Sequence, residues 1–258
     1  MKELILGKTY AHRGYYDPPL IPENSMAAFR RAVEHGVGVE FDVHMIADGS
    51  LVIFHDDELE RMTGVKGQIE DYDITNLRKL RLSGTDEMIP TFDELLDLFE
   101  DTGLPLMVEI KPAGGNHYKL AEAVVRRLER YKGPFAVESF DPRSLMVVKR
   151  MRPEWTRGQL VQDFYKTPDG VPLYQAVLLT NLAFNRFVQP DFLAYRFQDR
   201  KWGAWKRWLG KKGIVPVVWT IKTVDEYKAA LSTGCIPIFE QITPEELKEL
   251  LSKGDKED

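Results

Sequence analysis

The stretch that decides the fold is Val37-Gly38-Val39-Glu40-Phe41-Asp42-Val43-His44, in which apolar and polar residues alternate one by one. Successive side chains of a β-strand point to opposite faces, so Glu40, Asp42 and His44 share one face while Phe41 and Val43 take the other. The same mixture returns where other apolar runs end. Ala11-His12-Arg13-Gly14 closes the first run and Val108-Glu109-Ile110-Lys111 the third. Ionisable groups at successive strand ends are what a (β/α)₈ barrel requires, because its chemistry gathers at the C-terminal ends of parallel strands.

Outward from that stretch, short β-branched or apolar runs alternate with longer amphipathic segments, the sign of βα units around a parallel sheet. Strands are predicted over residues 4–11, 37–43, 105–110, 135–139, 157–161, 187–193, 214–219 and 236–239. Helices are predicted over 24–35, 92–101, 117–131, 142–151, 224–232 and 244–251. Thr223 ahead of Asp225 and Glu226, and Thr243-Pro244-Glu245-Glu246, carry the capping residue, proline and acids of a helix start. Eight strands in 258 residues give an α/β fold, a (β/α)₈ TIM barrel over residues 1–258 as a single domain. One interruption breaks the order. About fifty residues separate the second strand from the helix at Phe92, too many for an ordinary barrel loop. They hold a turn at Asp48-Gly49 and a polar segment, so an insertion after the second strand is expected over about residues 57–90, on the active face.

Composition narrows the function. With 43% hydrophobic and 29% charged residues the chain reads as a globular protein with a substantial core. A formal net charge of -5 supplies no global field for nucleic acid, so no nucleic-acid partner is expected. The one cysteine, Cys235, excludes an internal disulfide framework and a cysteine-rich zinc site. No apolar run approaches the length of a spanning helix, so no integral membrane segment is expected. A cleaved leader would remove His12 and Arg13, and the expected compartment is cytoplasmic. The basic aromatic segment from Arg200 to Lys212 invites comparison with a lipid anchor. However, Trp202, Trp205 and Leu209 follow one helical stripe, which points to a helix packed on the barrel. The oligomeric state is left open.

Three carboxylates, Glu40, Asp42 and Glu109, converging on a barrel mouth would repel one another unless a cation lies between them. Oxygen ligands suit one divalent ion, magnesium or calcium, with manganese as a further option. Any one of these acids alone also reads as a solvated strand end paired with a neighbouring base. His12 and His55 are the candidates for proton transfer, since imidazole serves as acid or base near neutrality. Arg13 and Lys111 are the candidates for holding phosphate oxygens. His35 complements a helix dipole, His44 sits behind the acids and His117 opens a helix.

These residues fall in a familiar order. His12-Arg13-Gly14, Pro22-Glu23-Asn24-Ser25, Glu40-Phe41-Asp42, His55-Asp56 and Glu109-Ile110-Lys111 resemble the glycerophosphodiester phosphodiesterase signature. Ile89-Pro90-Thr91, Ser139-Phe140 and Trp219-Thr220 extend the likeness. The resemblance implies hydrolysis of a small-molecule glycerophosphodiester to glycerol 3-phosphate and an alcohol. It implies His12 and His55 as the acid–base pair, Glu40, Asp42 and Glu109 as metal ligands, and Arg13 and Lys111 on the phosphate. Glu23 and Asn24 would support the first-strand loop, and Trp219 would wall the glycerol carbons or sit in the core. The attacking oxygen is that of water or of the substrate's own glycerol hydroxyl. A lipid-directed phosphodiesterase and a non-catalytic phosphodiester-binding barrel are the rival readings. The chain departs from the family's usual Trp-Thr-Val-Asn and Gly-Ile-Thr-Asp, with Lys222 in the first and Phe239-Glu240 in the second. Both differences are expected on the alcohol side of the site.

Overall fold

A computed structural model describes residues 5–166, 171–200, 205–209 and 213–254. Eight parallel strands close on themselves. They are β1 (Tyr10–Ala11), β2 (Gly38–Met45), β4 (Leu106–Ile110), β5 (Phe135–Ser139), β6 (Arg157–Val161), β7 (Phe192–Arg196), β8 (Val215–Ile221) and β9 (Ile236–Phe239), with β3 (Leu51–Ile53) folded back antiparallel on β2. Each parallel strand pairs with the next, and β1 pairs with both β2 and β9, so the barrel is complete and has no free edge. This is the (β/α)₈ barrel expected from the alternating runs.

Period two on the strands separates two apolar layers. Phe41 points outward and meets Phe29 of helix α1 (Met26–Glu34), and it also meets Phe92 of α4 (Phe92–Phe99). The lumen is filled from the other face, by Tyr10, Met107, Ala136, Leu160, Phe192, Ala194, Val217 and Ile238. Phe192 reaches far enough across that a Cβ on Gly158 would lie 2.0 Å from its ring, so only glycine fits on β6 there. This apolar plug is the floor on which the polar strand ends stand.

Two strand boundaries differ from the sequence reading. The first strand is only Tyr10–Ala11. Residues 5 and 6 are helical, and Ile5 joins the lumen cluster, where its carbonyl accepts the Tyr10 hydroxyl at 2.6 Å. The seventh strand begins at Phe192, because Phe187 lies in a short helix, α8 (Asn185–Val188), that Gln189 ends in a left-handed conformation. Local β-propensity named an apolar run in each case, and tertiary packing assigned it to a helix.

The segment between β3 and α4 holds two single-turn helices, α2 (Glu60–Thr63) and α3 (Ile74–Leu77). It closes over its own apolar cluster, which includes Phe54, Leu59, Ile69, Leu77 and Ile89. It follows the β2–β3 hairpin and rises on the face where the strands end. In the basic aromatic segment, helix α9 (Trp205–Leu209) packs Trp208 and Leu209 against the layer between strands and helices. Trp202 and the side chain of Trp205 lie outside the described residues. Among the described residues no helix is long and apolar enough to cross a membrane.

Candidate active site

The register between β2 and β4 sets Asp42 opposite Glu109, with Glu40 two residues lower on the same inward face. Glu40, Asp42 and Glu109 are buried and each offers an oxygen within 4.8 Å of the others. Cationic and neutral donors surround them. Lys111 Nζ lies 3.6 Å from Asp42 Oδ1 and 3.6 Å from Glu109 Oε1, and Arg13 Nε lies 3.8 Å from Asp42 Oδ2. Asn24 Nδ2 donates to Asp42 Oδ2 at 2.9 Å, and the Arg13 amide donates to Glu40 Oε2 at 3.1 Å. That amide is aimed inward because Arg13 and Gly14 both take positive φ. At Gly14 a Cβ would lie 2.9 Å from that of Ala28, so the turn needs glycine.

These neighbours do not balance three charges. Burial opposes ionisation of Asp42, yet the charges of His55, Lys111 and Arg13 and the Asn24 hydrogen bond hold its carboxyl well below the usual range. Burial and the repulsion of Asp42 push Glu109 up to about 8, against the opposing pull of Lys111, and the same two causes raise Glu40 well above its ordinary value. Without further positive charge the surroundings therefore favour ionisation of Asp42 and oppose that of Glu40 and Glu109. An all-oxygen donor set whose ionisation is held back by mutual repulsion fits a hard divalent cation.

Both histidines are oriented through Nδ1 by a carboxylate. His12 Nδ1 lies 2.8 Å from Glu240 Oε2, which also accepts the Tyr16 hydroxyl at 2.7 Å, while Lys222 Nζ sits 2.7 Å from Glu240 Oε1. His55 Nδ1 lies 2.6 Å from Asp56 Oδ1. Burial, and next the charge of Arg13, lower the pKa of His12. Burial lowers that of His55 against the opposing pull of Asp42. Each carboxylate accepts from Nδ1 and leaves Nε2 as the nitrogen open to chemistry.

A chain of ion pairs links the two halves. Arg61, from α2, bonds Asp56 behind His55, and its Nη2 donates to Glu23 Oε1 at 2.7 Å. Arg13 Nη1 donates to that same Glu23 oxygen at 2.7 Å. The insertion thus grips the first-strand loop through one guanidinium.

His12, Arg13, Glu40, His55, Glu109 and Lys111 line one cavity of about 440 Å³ at the top of the lumen. Its opposite wall is apolar and contains Phe140, Phe164 and Trp219. Trp219 stands edge-on to Phe140 at 5.7 Å between ring centroids, and its Nε1 donates to the Ala194 carbonyl at 3.0 Å. All eight residues singled out from the sequence are gathered here, seven on the cavity surface and Asp42 directly behind it. His44 is outside the cavity, with Nδ1 on Glu70 Oε1 at 2.7 Å.

Sequence reasoning missed Glu138, which lies opposite Glu109 on β5, is fully buried on the cavity wall, and has an Oε2 without a hydrogen-bond partner among the described residues. Burial, then the charge of Glu109, pushes its pKa well up. The alternation Ala136, Glu138, Phe140 carried the signal. Lys222 and Glu240, two of the departures expected on the alcohol side, form one ion pair, and its carboxylate orients His12.

The profile of the Glycerophosphoryl diester phosphodiesterase family matches residues 12–240. A glycerophosphodiester phosphodiesterase of Caldanaerobacter subterraneus subsp. tengcongensis is 29% identical over 98% of this chain and 100% of its own. Among solved structures, an Oleispira antarctica phosphodiesterase in complex with the product sn-glycerol-3-phosphate superposes with TM-score 0.77 at 25% identity, covering 94% of this chain and 96% of its own. The glycerophosphodiester phosphodiesterase of Thermotoga maritima gives TM-score 0.69 at 26% identity, with 94% and 97% covered.

Two expectations follow from the geometry. Glu109 titrates near 4.5 when free and near 8 in the folded chain, so between those values the folded state binds a proton that the unfolded state has lost. In EDTA the melting temperature therefore falls as pH rises from about 6.5 to 8, above the range in which the lowered pKa values of His12 and His55 contribute the opposite slope. Added magnesium or calcium reverses the fall, and a flat profile in EDTA would remove the repulsive cluster from this account. Arg61→Ala removes the guanidinium that joins Asp56 to Glu23 and leaves Asp56 on His55 and Glu23 on Arg13. Its loss should fall mainly on kcat and shift the pH profile of kcat/KM, with Arg61→Lys recovering only part, since one ammonium cannot make the paired contacts. An unchanged pH profile in Arg61→Ala would show the chain of ion pairs to be structural only.

Proposed function

The chain belongs to the glycerophosphoryl diester phosphodiesterase family, and we propose that it hydrolyses glycerophosphodiesters to glycerol 3-phosphate and an alcohol, with His12 and His55 moving the protons and Glu40, Asp42 and Glu109 holding one divalent cation. The observation that carries this reading is the placement of two carboxylate-anchored imidazoles and the acid cluster on one cavity. The glycerol 3-phosphate held by the Oleispira relative supports the same product here.

Hydrolysis forms a new P–O bond from the nucleophile and breaks the P–O bond to the alcohol. One histidine takes the proton from the attacking oxygen through Nε2, and the other delivers a proton to the departing oxygen. Their depressed basicity keeps the first neutral and ready to accept, and it makes the second, once protonated, a stronger acid. Glu240 and Asp56 stabilise whichever imidazolium forms, as buried carboxylates on Nδ1 do. Lys111 and Arg13 present positive charge to the phosphate oxygens, Lys111 as a point charge and Arg13 through a guanidinium held in place by Glu23. Trp219 and Phe140 shield the ester carbons from water. When bound by the three acids, a divalent cation supplies Lewis-acid charge to the phosphoryl group.

Exhaustive chelation is expected to abolish turnover of glycerophosphocholine or glycerophosphoethanolamine, and magnesium, calcium or manganese to restore it. Full turnover after chelation would rule out the cation. His12→Ala and His55→Ala should each lower kcat by about 10² to 10⁴ with folding retained, and the double variant should be little worse than the poorer single one. A p-nitrophenyl ester, whose leaving group needs no proton, rescues only the variant lacking the acid. Near-normal activity of either single variant on a natural glycerophosphodiester would sink the assignment.

A further inference from the structure

Among the described ionisable residues that line the catalytic cavity, Glu138 is left without a task by the chemistry of proton transfer, cation and phosphate. It is 1% exposed, and its Oε2 has no hydrogen-bond partner among the described residues. A buried carboxyl oxygen left unpaired is destabilising, so its presence on a cavity wall points to a partner that a ligand brings. Around the barrel the register runs from Asp42 to Glu109 to Glu138 and then to Gly158. On one side stands another acid. On the other Gly158 has no side chain, and the ring of Phe192 takes that place. Leu160, Ile238 and Trp219 line the same cavity, and the indole N–H of Trp219 is already committed to the Ala194 carbonyl.

Position narrows what the ligand offers. A phosphate oxygen would meet Glu138 as a like charge. Among the described residues the cation cluster is Glu40, Asp42 and Glu109, with oxygens within 4.8 Å of one another, and Glu138 is not a member of it. A hydroxyl fits, because it donates and accepts and so pairs with a carboxyl in either protonation state. Glu138 stands one strand beyond Glu109, about 4.8 Å around the sheet. A hydroxyl on the glycerol of a diester spans that gap when its phosphorus is held at Lys111 and the acids. Glu240, on the rim expected to face the alcohol, follows β9, which lies four strands from β5 in either direction around the closed barrel. Phe140, just beyond Glu138 on the same face, meets Trp219 edge to face and covers the ground between.

We propose that Glu138 recognises the glycerol: its free carboxyl oxygen exchanges a hydrogen bond with a glycerol hydroxyl of the bound diester, so that the chain selects glyceryl esters over simple alkyl esters of the same phosphate. This rests on the phosphodiesterase reading and adds to it the residue that chooses the half of the substrate retained after the alcohol departs. Glu138 moves no proton and touches no reacting atom. Its hydrogen bond is made alike in the ground state and the transition state, so its effect falls on KM more than on kcat.

The test compares sn-glycero-3-phosphocholine with n-propyl phosphocholine, which lacks only the glycerol hydroxyls, by choline release in the presence of magnesium. The unaltered chain is expected to favour the glyceryl ester by about 10- to 100-fold in kcat/KM, the scale of a hydrogen bond to a buried or charged partner. In Glu138→Leu the preference falls to near parity, chiefly through KM for the glyceryl ester. Glu138→Gln, which keeps a donor and an acceptor, recovers part of it. A preference absent from the unaltered chain, or kept in full by Glu138→Leu, overturns the proposal. So does a loss of magnesium affinity in which both esters lose kcat alike, since that would make Glu138 a cation ligand. If Glu138→Leu does not fold, the isosteric Glu138→Gln decides, a reduced preference upholding the assignment and an unchanged one overturning it. If the unaltered chain turns over neither ester, the phosphodiesterase reading fails instead, and Glu138 is judged by calorimetric binding of glycerol 3-phosphate against n-propyl phosphate. Tighter binding of glycerol 3-phosphate that is lost in Glu138→Leu upholds the assignment, and equal binding of the two, or none, overturns it.

Discussion

Mutual repulsion among Glu40, Asp42 and Glu109, buried and held within 4.8 Å of one another, is the constraint on which the rest of the site depends. Buried like charges cannot all ionise, and the arrangement survives only because the surroundings decide which of them does. Lys111, Arg13 and Asn24 stabilise the charge of Asp42, while ionisation of Glu40 and Glu109 is opposed. The barrel beneath makes this possible. Its lumen is filled with closely packed apolar side chains, and the acids stand on that layer at the spacing the strands give them.

The same logic extends outward to the histidines. An imidazole that must exchange a proton needs a fixed tautomer, and Glu240 and Asp56 fix it at Nδ1 of His12 and His55. Each of these acids is balanced by a base of its own, Lys222 for Glu240 and Arg61 for Asp56. Arg61 is half exposed, so its value lies in geometry more than in stability. Through Glu23 it ties the insertion to Arg13 and so fixes His55 relative to the first strand. Lys222 and Glu240, two of the positions at which the chain departs from the usual family pattern, form one ion pair. Lysine at the first would lack a counter-charge without the carboxylate at the second.

Much of the architecture was legible because it rests on local rules. Strict alternation in residues 37–44 puts Glu40 and Asp42 on one face, and the β2–β4 register bears this out. Eight apolar runs separated by capped amphipathic segments foretold a closed barrel, and Thr223 does cap its helix by accepting from Glu226 N. The reading slipped at residues 4–11 and at Phe187, where apolar composition is shared by strand and helix and only packing decides between them.

The sequence by itself determined the chemistry of each strand end, since residue type and period-two alternation are local properties that the barrel merely collects. Pairings across long distances were decided only by the tertiary structure. His12 meets Glu240 because β1 closes the barrel against β9, and no spacing in the chain encodes a contact made by closure across 228 positions. Glu138 joins the acids for the same reason, through the β4–β5 register. The openness of helix α7 (Leu173–Thr180) is of this kind too. Its composition calls for burial, and whether any part of the protein covers it is settled by where the neighbouring helices lie, which is a property of the assembled barrel.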